Sequence, residues 1–308
     1  ALHDALTEGQ FQPEEKFEPK HPNDRIQLAH LCIHWWHKYA QEKLYPINGS
    51  DAATNKANEK RRLHHDNVKE WSDTRWLRIA PERYRHTIHS ATFKATLAAI
   101  AMYAPSFKLP QNCISRTVPE REECRTQSDF VDHILHCSGC VGNVLVKRHN
   151  SVNYSIQNIL SAWHMGYSVE PNGLPKTDAP KDSRRKYCGP DGCLQTDDGL
   201  TAVELHCSHS RLWYNPRSTN YDSVRTARNN KVDDYKDFET KYPGVKVQIF
   251  TVSTGGVIHP DTLKFIKNKW LPLARNSGRG MLRALTVEIW FAIARAVGSA
   301  LQMAMIRK

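Results

Sequence analysis

The run from Cys124 to Lys231 constrains the fold more than any other part of the chain. It opens with closely spaced Cys and His side chains. A helix-like stretch over 151–166 follows, with Val152, Ile156, Ile159, Leu160 and Trp163 on one stripe. Apolar residues three and four apart share a helix face, so this segment must be covered by a core. Asn150 or Ser151 is placed to cap its N-terminus. Residues 171–187 are polar and rich in Pro and Lys, as a loop would be. Residues 201–207 then alternate: Val203, Leu205 and Cys207 fall on one face of a strand, Glu204 and His206 on the other. A polar helix is expected over 220–241, a second strand over 245–252 running into Gly255-Gly256, and closing helices over 260–270 and 280–306. Helices interleaved with strands imply an α/β core.

The N-terminal third reads differently. Residues 25–41 hold apolar positions at helical spacing, with His30, His34 and His37 on the same helix. An amphipathic helix with wet histidines accounts for them without a metal. Residues 46–60 read as a loop, 66–77 as a helix, and Pro81 opens an Ala-rich helix over 82–103. The expected organisation is a helical N-terminal module (1–104), a Cys/His region (105–150), an α/β domain (151–270) and a C-terminal helix (271–308). No polymerase motif, phosphate-binding glycine loop or internal repeat is present. The apolar stretch over 284–306 is interrupted by Glu288 and Arg295, which favours a buried or partner-facing helix over a membrane span.

Lys and Arg number 43 against 32 acids, a formal net charge of +11. An excess of this size favours a polyanionic partner, and nucleic acid is the usual one. Basic runs such as Lys60-Arg61-Arg62 and Arg184-Arg185-Lys186 point the same way. Eight cysteines are too few and too unevenly placed for a disulfide framework. They suit a reducing compartment and a metal. The first residue is Ala1, as in a processed protein, an excised fragment or a trimmed chain.

Cys124, His133 and Cys137 carry metal-ligand spacing, with eight and then three intervening residues. On a helix, His133 and Cys137 project from one face, as ligands of one ion must. Structural zinc needs four protein ligands. Cys113 completes the set, with Cys140 and His136 as alternatives.

Metal-assisted phosphodiester hydrolysis needs carboxylates to hold Mg²⁺ and a cation near the phosphate. Asp191, after Pro190, stands where a strand would begin, and Glu204 projects from the next strand. His206 occupies the place of the lysine in a D…(D/E)-x-K pattern. Lys231, at the opening of the following helix, could supply the cation from another element. Glu170 is a further acid on the preceding edge.

From about Trp76 to Trp270 the chain resembles the C-terminal region of non-LTR retrotransposon polyproteins that carry a restriction-enzyme-like endonuclease. Trp76-Leu77 with Pro81 matches that region's opening helical motif. His133 to Cys137 matches its HxxxC knuckle, and Arg148-His149-Asn150 its RHN motif. Gly166 and Glu170-Pro171 fit a Gly…Glu-Pro stretch. The Pro190-Asp191 turn, the acidic strand, Lys231 with Tyr235, and a strand running into Gly255 complete the order. The resemblance implies a PD-(D/E)XK nuclease-like core beside a zinc knuckle, with structural zinc and Mg²⁺. It also implies DNA as the ancestral substrate and Asp191, Glu204 and Lys231 as the active-site triad.

The chain departs from that pattern in three places. Gly189 replaces the arginine of the RPD turn, Glu204 replaces the more usual Asp, and no reverse transcriptase precedes the region. The departures lead to the expectation of a retroelement-derived nucleic-acid-binding protein that serves as a non-catalytic structural subunit of a larger ribonucleoprotein. A mitochondrial ribosome is one such assembly, with protein partners around the chain and a mitochondrial location. An active Mg²⁺-dependent endonuclease that cleaves DNA phosphodiester bonds is the alternative function, and the nucleus is the alternative location.

Overall fold

Helix α1 (Val144–Ala162) turns its apolar stripe inward: Val152, Ile156, Ile159 and Leu160 are buried. The chain then passes through β1 (Tyr167–Val169), β2 (Thr177–Asp178), β3 (Tyr187–Cys188), β4 (Gly192–Thr196) and β5 (Gly199–Ser208). Helices α2 (Asp222–Asp234) and α3 (Phe238–Lys241) lead to β6 (Val245–Ser253). Helix α4 (Pro260–Phe265), a π-helical turn (Ile266–Trp270), a 3₁₀ turn (Leu271–Leu273) and the long helix α5 (Gly278–Ile306) close the fold. This computed structural model describes residues 144–169, 177–178, 187–196, 199–208, 222–254, 258–274 and 278–306, with isolated positions between 51 and 96.

A four-stranded mixed sheet runs in the order β1-β4-β5-β6, with β2 and β3 paired separately. Strands β1, β4 and β5 are antiparallel neighbours, whereas β5 and β6 are parallel. A parallel pair needs a crossover, and the polar segment carrying α2 and α3 provides it. The alternation in β5 sorts its side chains as expected. Val203 and Leu205 join Phe250 and Val252 of β6 in the main core, covered by α1 and α5. On the opposite face Ile249 packs with Tyr235 and Phe238 of the crossover. The sheet is thus enclosed between helices on both faces, which explains why β5 and β6 are largely apolar.

Trp270 anchors the main core. It is fully buried, stacked on Phe250 at 6.0 Å between ring centroids and edge-on to Phe265 at 5.5 Å. Helix α5 is also a core element, with Met281, Leu285, Ile289, Ile293, Val297 and Leu301 in the same cluster. The stretch Gly280–Met303 is long and apolar enough to cross a bilayer, but most of it is buried against the rest of the chain. Gly298 allows close approach of residues 92 and 96, because a Cβ there would overlap the Thr92 carbonyl and the Thr96 hydroxyl. Thr96 donates to the Ala294 carbonyl at 2.7 Å.

Several local expectations are corrected. Helix α1 already includes Val144, so Arg148-His149-Asn150 lies within the helix, and neither Asn150 nor Ser151 caps it. The segment 171–187, read as loop, contributes β2 and meets β3. The single helix expected over 220–241 breaks after Asp234, and Lys231 lies in the last turn of α2 rather than at a helix opening.

Candidate functional site

The site forms where β5 outruns its neighbour. Strand β4 begins at Gly192, paired with Val203, so the β5 backbone from Glu204 to Ser208 extends beyond that ladder. Backbone groups there need other partners. Side chains supply them. Asp191 Oδ2 accepts from the Leu205 amide at 2.8 Å. His149 Nε2 lies 3.1 Å from the Leu205 carbonyl oxygen, and Arg148 Nη2 donates to the Cys207 carbonyl at 3.1 Å. One strand end therefore collects an acid and two bases.

Helix α1 fixes these groups from one side. His149 and Asn153 are one turn apart and project together. His149 Nε2 is 3.1 Å from Asp191 Oδ2, and Asn153 Nδ2 donates to the Asp191 carbonyl at 2.7 Å. Asn153 is itself held by the Tyr167 hydroxyl, which donates to its Oδ1 at 2.7 Å. Gly192 is required beside it, since a Cβ there would overlap the Tyr167 hydroxyl. Asp191 is thus positioned through its side chain and its main chain.

The crossover helix fixes the second acid. Glu204 is only 6% exposed. Lys231 Nζ lies 2.8 Å from its Oε1, and the Tyr235 hydroxyl donates to its Oε2 at 2.8 Å. Lys231 and Tyr235 are one helical turn apart, so the end of α2 presents a cation and a donor to one carboxylate. Lys231 also lies 3.7 Å from Asp234.

The electrostatics follow from burial and from the neighbouring charges. Burial raises the Glu204 carboxyl above its ordinary range, and the Asp191 charge adds to this, while Lys231 and Tyr235 oppose it. Burial works against protonation of His149. Asp191, Asn150 and Glu204 outweigh it and lift the imidazole to about 9. Burial also weakens the charged form of Lys231, but Glu204, Asp234 and Asp191 prevail and raise it. His206 goes the other way: burial and the positive fields of Lys231, Arg148 and His149 hold it at about 4, so it is neutral near pH 7.

Three of the residues named from sequence, Asp191, Glu204 and Lys231, are brought together here. Glu170 lies outside the described residues, as do Cys113, Cys124, His133 and Cys137 with the alternatives His136 and Cys140. Among the described residues no three His, Cys, Asp or Glu side chains are grouped to hold a metal ion. The oxygen donors available are the two carboxylates and the Leu205 carbonyl. That set suits Mg²⁺, a hard cation that keeps several waters and takes one or two carboxylates. It does not suit zinc, which prefers nitrogen and sulfur.

Sequence patterns alone do not give the roles of His149, Arg148 and Asn153. A signal was present, since all three are polar and lie on the helix that carries the buried apolar stripe. No protein-family model matches this chain, and no curated protein matches it in sequence.

Proposed function

We propose that this chain binds nucleic acid and hydrolyses its phosphodiester backbone with a divalent cation, through a PD-(D/E)XK nuclease-like core. The observation that carries the reading is the convergence of Asp191, Glu204 and Lys231, contributed by a turn, a strand and a distant helix. The lysine expected two residues after Glu204 is His206, yet a lysine ammonium still reaches Glu204, at 2.8 Å from its Oε1. Moving the cation from strand to helix leaves it beside the acid. The formal charge of +11 supplies the attraction for a polyanion.

Asp191, Glu204 and the Leu205 carbonyl would hold Mg²⁺, which supplies positive charge to the phosphate and to the attacking water. Lys231, released in part from Glu204, faces the same phosphate and offsets the charge that develops on its oxygens. Tyr235 keeps Glu204 in one rotamer while Lys231 moves. Arg148, buried on α1 with its guanidinium on the Cys207 carbonyl, adds positive potential at the end of β5. In the reaction the water oxygen bonds to phosphorus and the bond from phosphorus to the leaving sugar oxygen breaks. The proton shed by water returns to the leaving oxygen through solvent.

A second reading is a non-catalytic subunit of a ribonucleoprotein such as a mitochondrial ribosome. One observation favours it: the bonds at Asp191, His149 and Arg148 also complete the unpaired backbone of β5, so these residues have a structural reason to persist. The structural zinc of the Cys113, Cys124, His133 and Cys137 set belongs to both readings.

The two readings separate in one experiment. Purified protein is incubated with end-labelled single- and double-stranded DNA and with RNA, in Mg²⁺, in Mn²⁺ and in chelator. The nuclease reading expects cleavage that chelator abolishes. Tight binding with every strand left intact in both metals would overturn it in favour of the structural subunit.

A further inference from the structure

His149 occupies an unusual position. Its Nε2 lies 3.1 Å from Asp191 Oδ2 and also 3.1 Å from the Leu205 carbonyl oxygen. Its other nitrogen, Nδ1, lies 3.1 Å from Asn150 Oδ1. Both neighbours of Nε2 are acceptor oxygens, a carboxylate and a carbonyl, so Nε2 carries the proton and donates toward them. The ring therefore places an N–H between the carboxylate and the carbonyl that would hold the hard cation.

We propose that His149 is a displaceable stand-in for that cation, a positioning residue that holds Asp191 Oδ2 and the Leu205 carbonyl at their spacing until a divalent ion takes its place. The inference rests on the metal-dependent reading of the site. The Nε2–H and a metal ion would occupy the same lone pairs on the same two oxygens, so they exclude each other. The ring stays attached to α1 beside the site, so when it leaves the oxygens it has only a short distance to move. Bridging the two oxygens with one N–H in the free protein offsets the repulsion that would otherwise spread them. Removing the ring therefore has a sign that sets this role apart from a merely structural one. A structural contact, once lost, loosens Asp191 and weakens metal binding. A competitor, once lost, strengthens it.

The test measures Mn²⁺ binding by calorimetry for the full chain as wild type, His149→Gln, His149→Ala and Asp191→Asn. Losing the competing N–H should tighten binding about tenfold or more in His149→Gln and His149→Ala. Asp191→Asn should bind far more weakly than wild type. Binding by both His149 variants that equals or falls below wild type, with wild type and Asp191→Asn well separated, overturns the stand-in role and leaves the metal site standing. Absence of binding in all four proteins overturns the metal site and the stand-in together. A second measurement needs no variant: in histidine-labelled wild type, Mg²⁺ should shift the His149 ring nitrogen signals as the bonds to Asp191 and Leu205 break. Saturation with Mg²⁺ that leaves those signals in place also overturns the proposal.

Discussion

Replacing Lys231 with Met removes the ammonium and keeps an apolar stem of similar reach. In the native protein Nζ lies 2.8 Å from Glu204 Oε1, with the two side chains 25% and 8% exposed. Without the lysine, Glu204 retains the Tyr235 hydroxyl as its hydrogen-bond donor. Breaking a fully buried ion pair by deleting one partner costs about 3–5 kcal/mol. Water reaches Lys231, so screening reduces the loss to about 2–3 kcal/mol near pH 7.

The loss has a pH signature. Burial, followed by the Asp191 charge, already holds the Glu204 carboxyl above its ordinary value, and Lys231 works against that shift. The variant raises the carboxyl further. A carboxyl with a raised folded-state pKa binds protons that the unfolded chain has released. Its destabilisation is absent below the unfolded value and grows as pH rises toward the folded one. The deficit relative to wild type should therefore shrink as pH falls from about 7 toward about 4.5. Urea unfolding followed by circular dichroism at several pH values measures it, with equal m-values as the check on compactness. A variant as stable as wild type near pH 7, or a deficit that ignores pH, would refute the argument. Adding Glu204→Gln to the variant should recover part of the loss, because a neutral amide leaves no charge unpaired.

Gly192→Ala should destabilise by about 1–3 kcal/mol through overpacking against the buried Tyr167, as read from denaturant midpoints; an unchanged midpoint would contradict the tight approach. His149 is lifted by Asp191 from 6.5 to about 9, so the stability it contributes is complete below the lower value and lost as pH rises through the upper one. His149→Gln should flatten that alkaline decline, and an identical decline in both proteins would count against the ion pair. Elemental analysis should find about one zinc per chain, bound by Cys113, Cys124, His133 and Cys137, and less than about half an equivalent would exclude the site. Affinity for nucleic acid should fall steeply with salt as counterion release becomes less favourable, and a salt-independent affinity would rule out phosphate contacts as its source.

The sequence made the large elements of the described region legible. The stripe of Val152, Ile156, Ile159 and Leu160 marks α1 because a one-sided helix has a clear period. The alternation around Glu204 marks β5 for the same reason. Short elements carry no such period: β1 has three residues and β2 and β3 have two each, and pairing with a neighbour, not local pattern, makes them strands. The helix end at Asp234 was hidden by a continuous polar run, since charge alone does not mark where a turn begins. Asp191, Glu204 and Lys231 could be singled out by type and order. Their partners could not. That His149 and Asn153 reach Asp191, and that Tyr235 reaches Glu204, depends on how α1 and α2 lie across the sheet, and only the packed structure gives that.

The central claim is that Asp191 and its neighbours form a metal-dependent phosphodiesterase site. Cleavage of labelled DNA and RNA by wild type beside Asp191→Ala, in Mn²⁺ and in Mg²⁺ with chelator controls, tests it most directly. The account predicts metal-dependent strand scission by wild type, reduced about a hundredfold or more in Asp191→Ala while nucleic-acid binding persists. Wild type that binds these strands and leaves them whole, or an Asp191→Ala protein that cuts as fast as wild type, would contradict it.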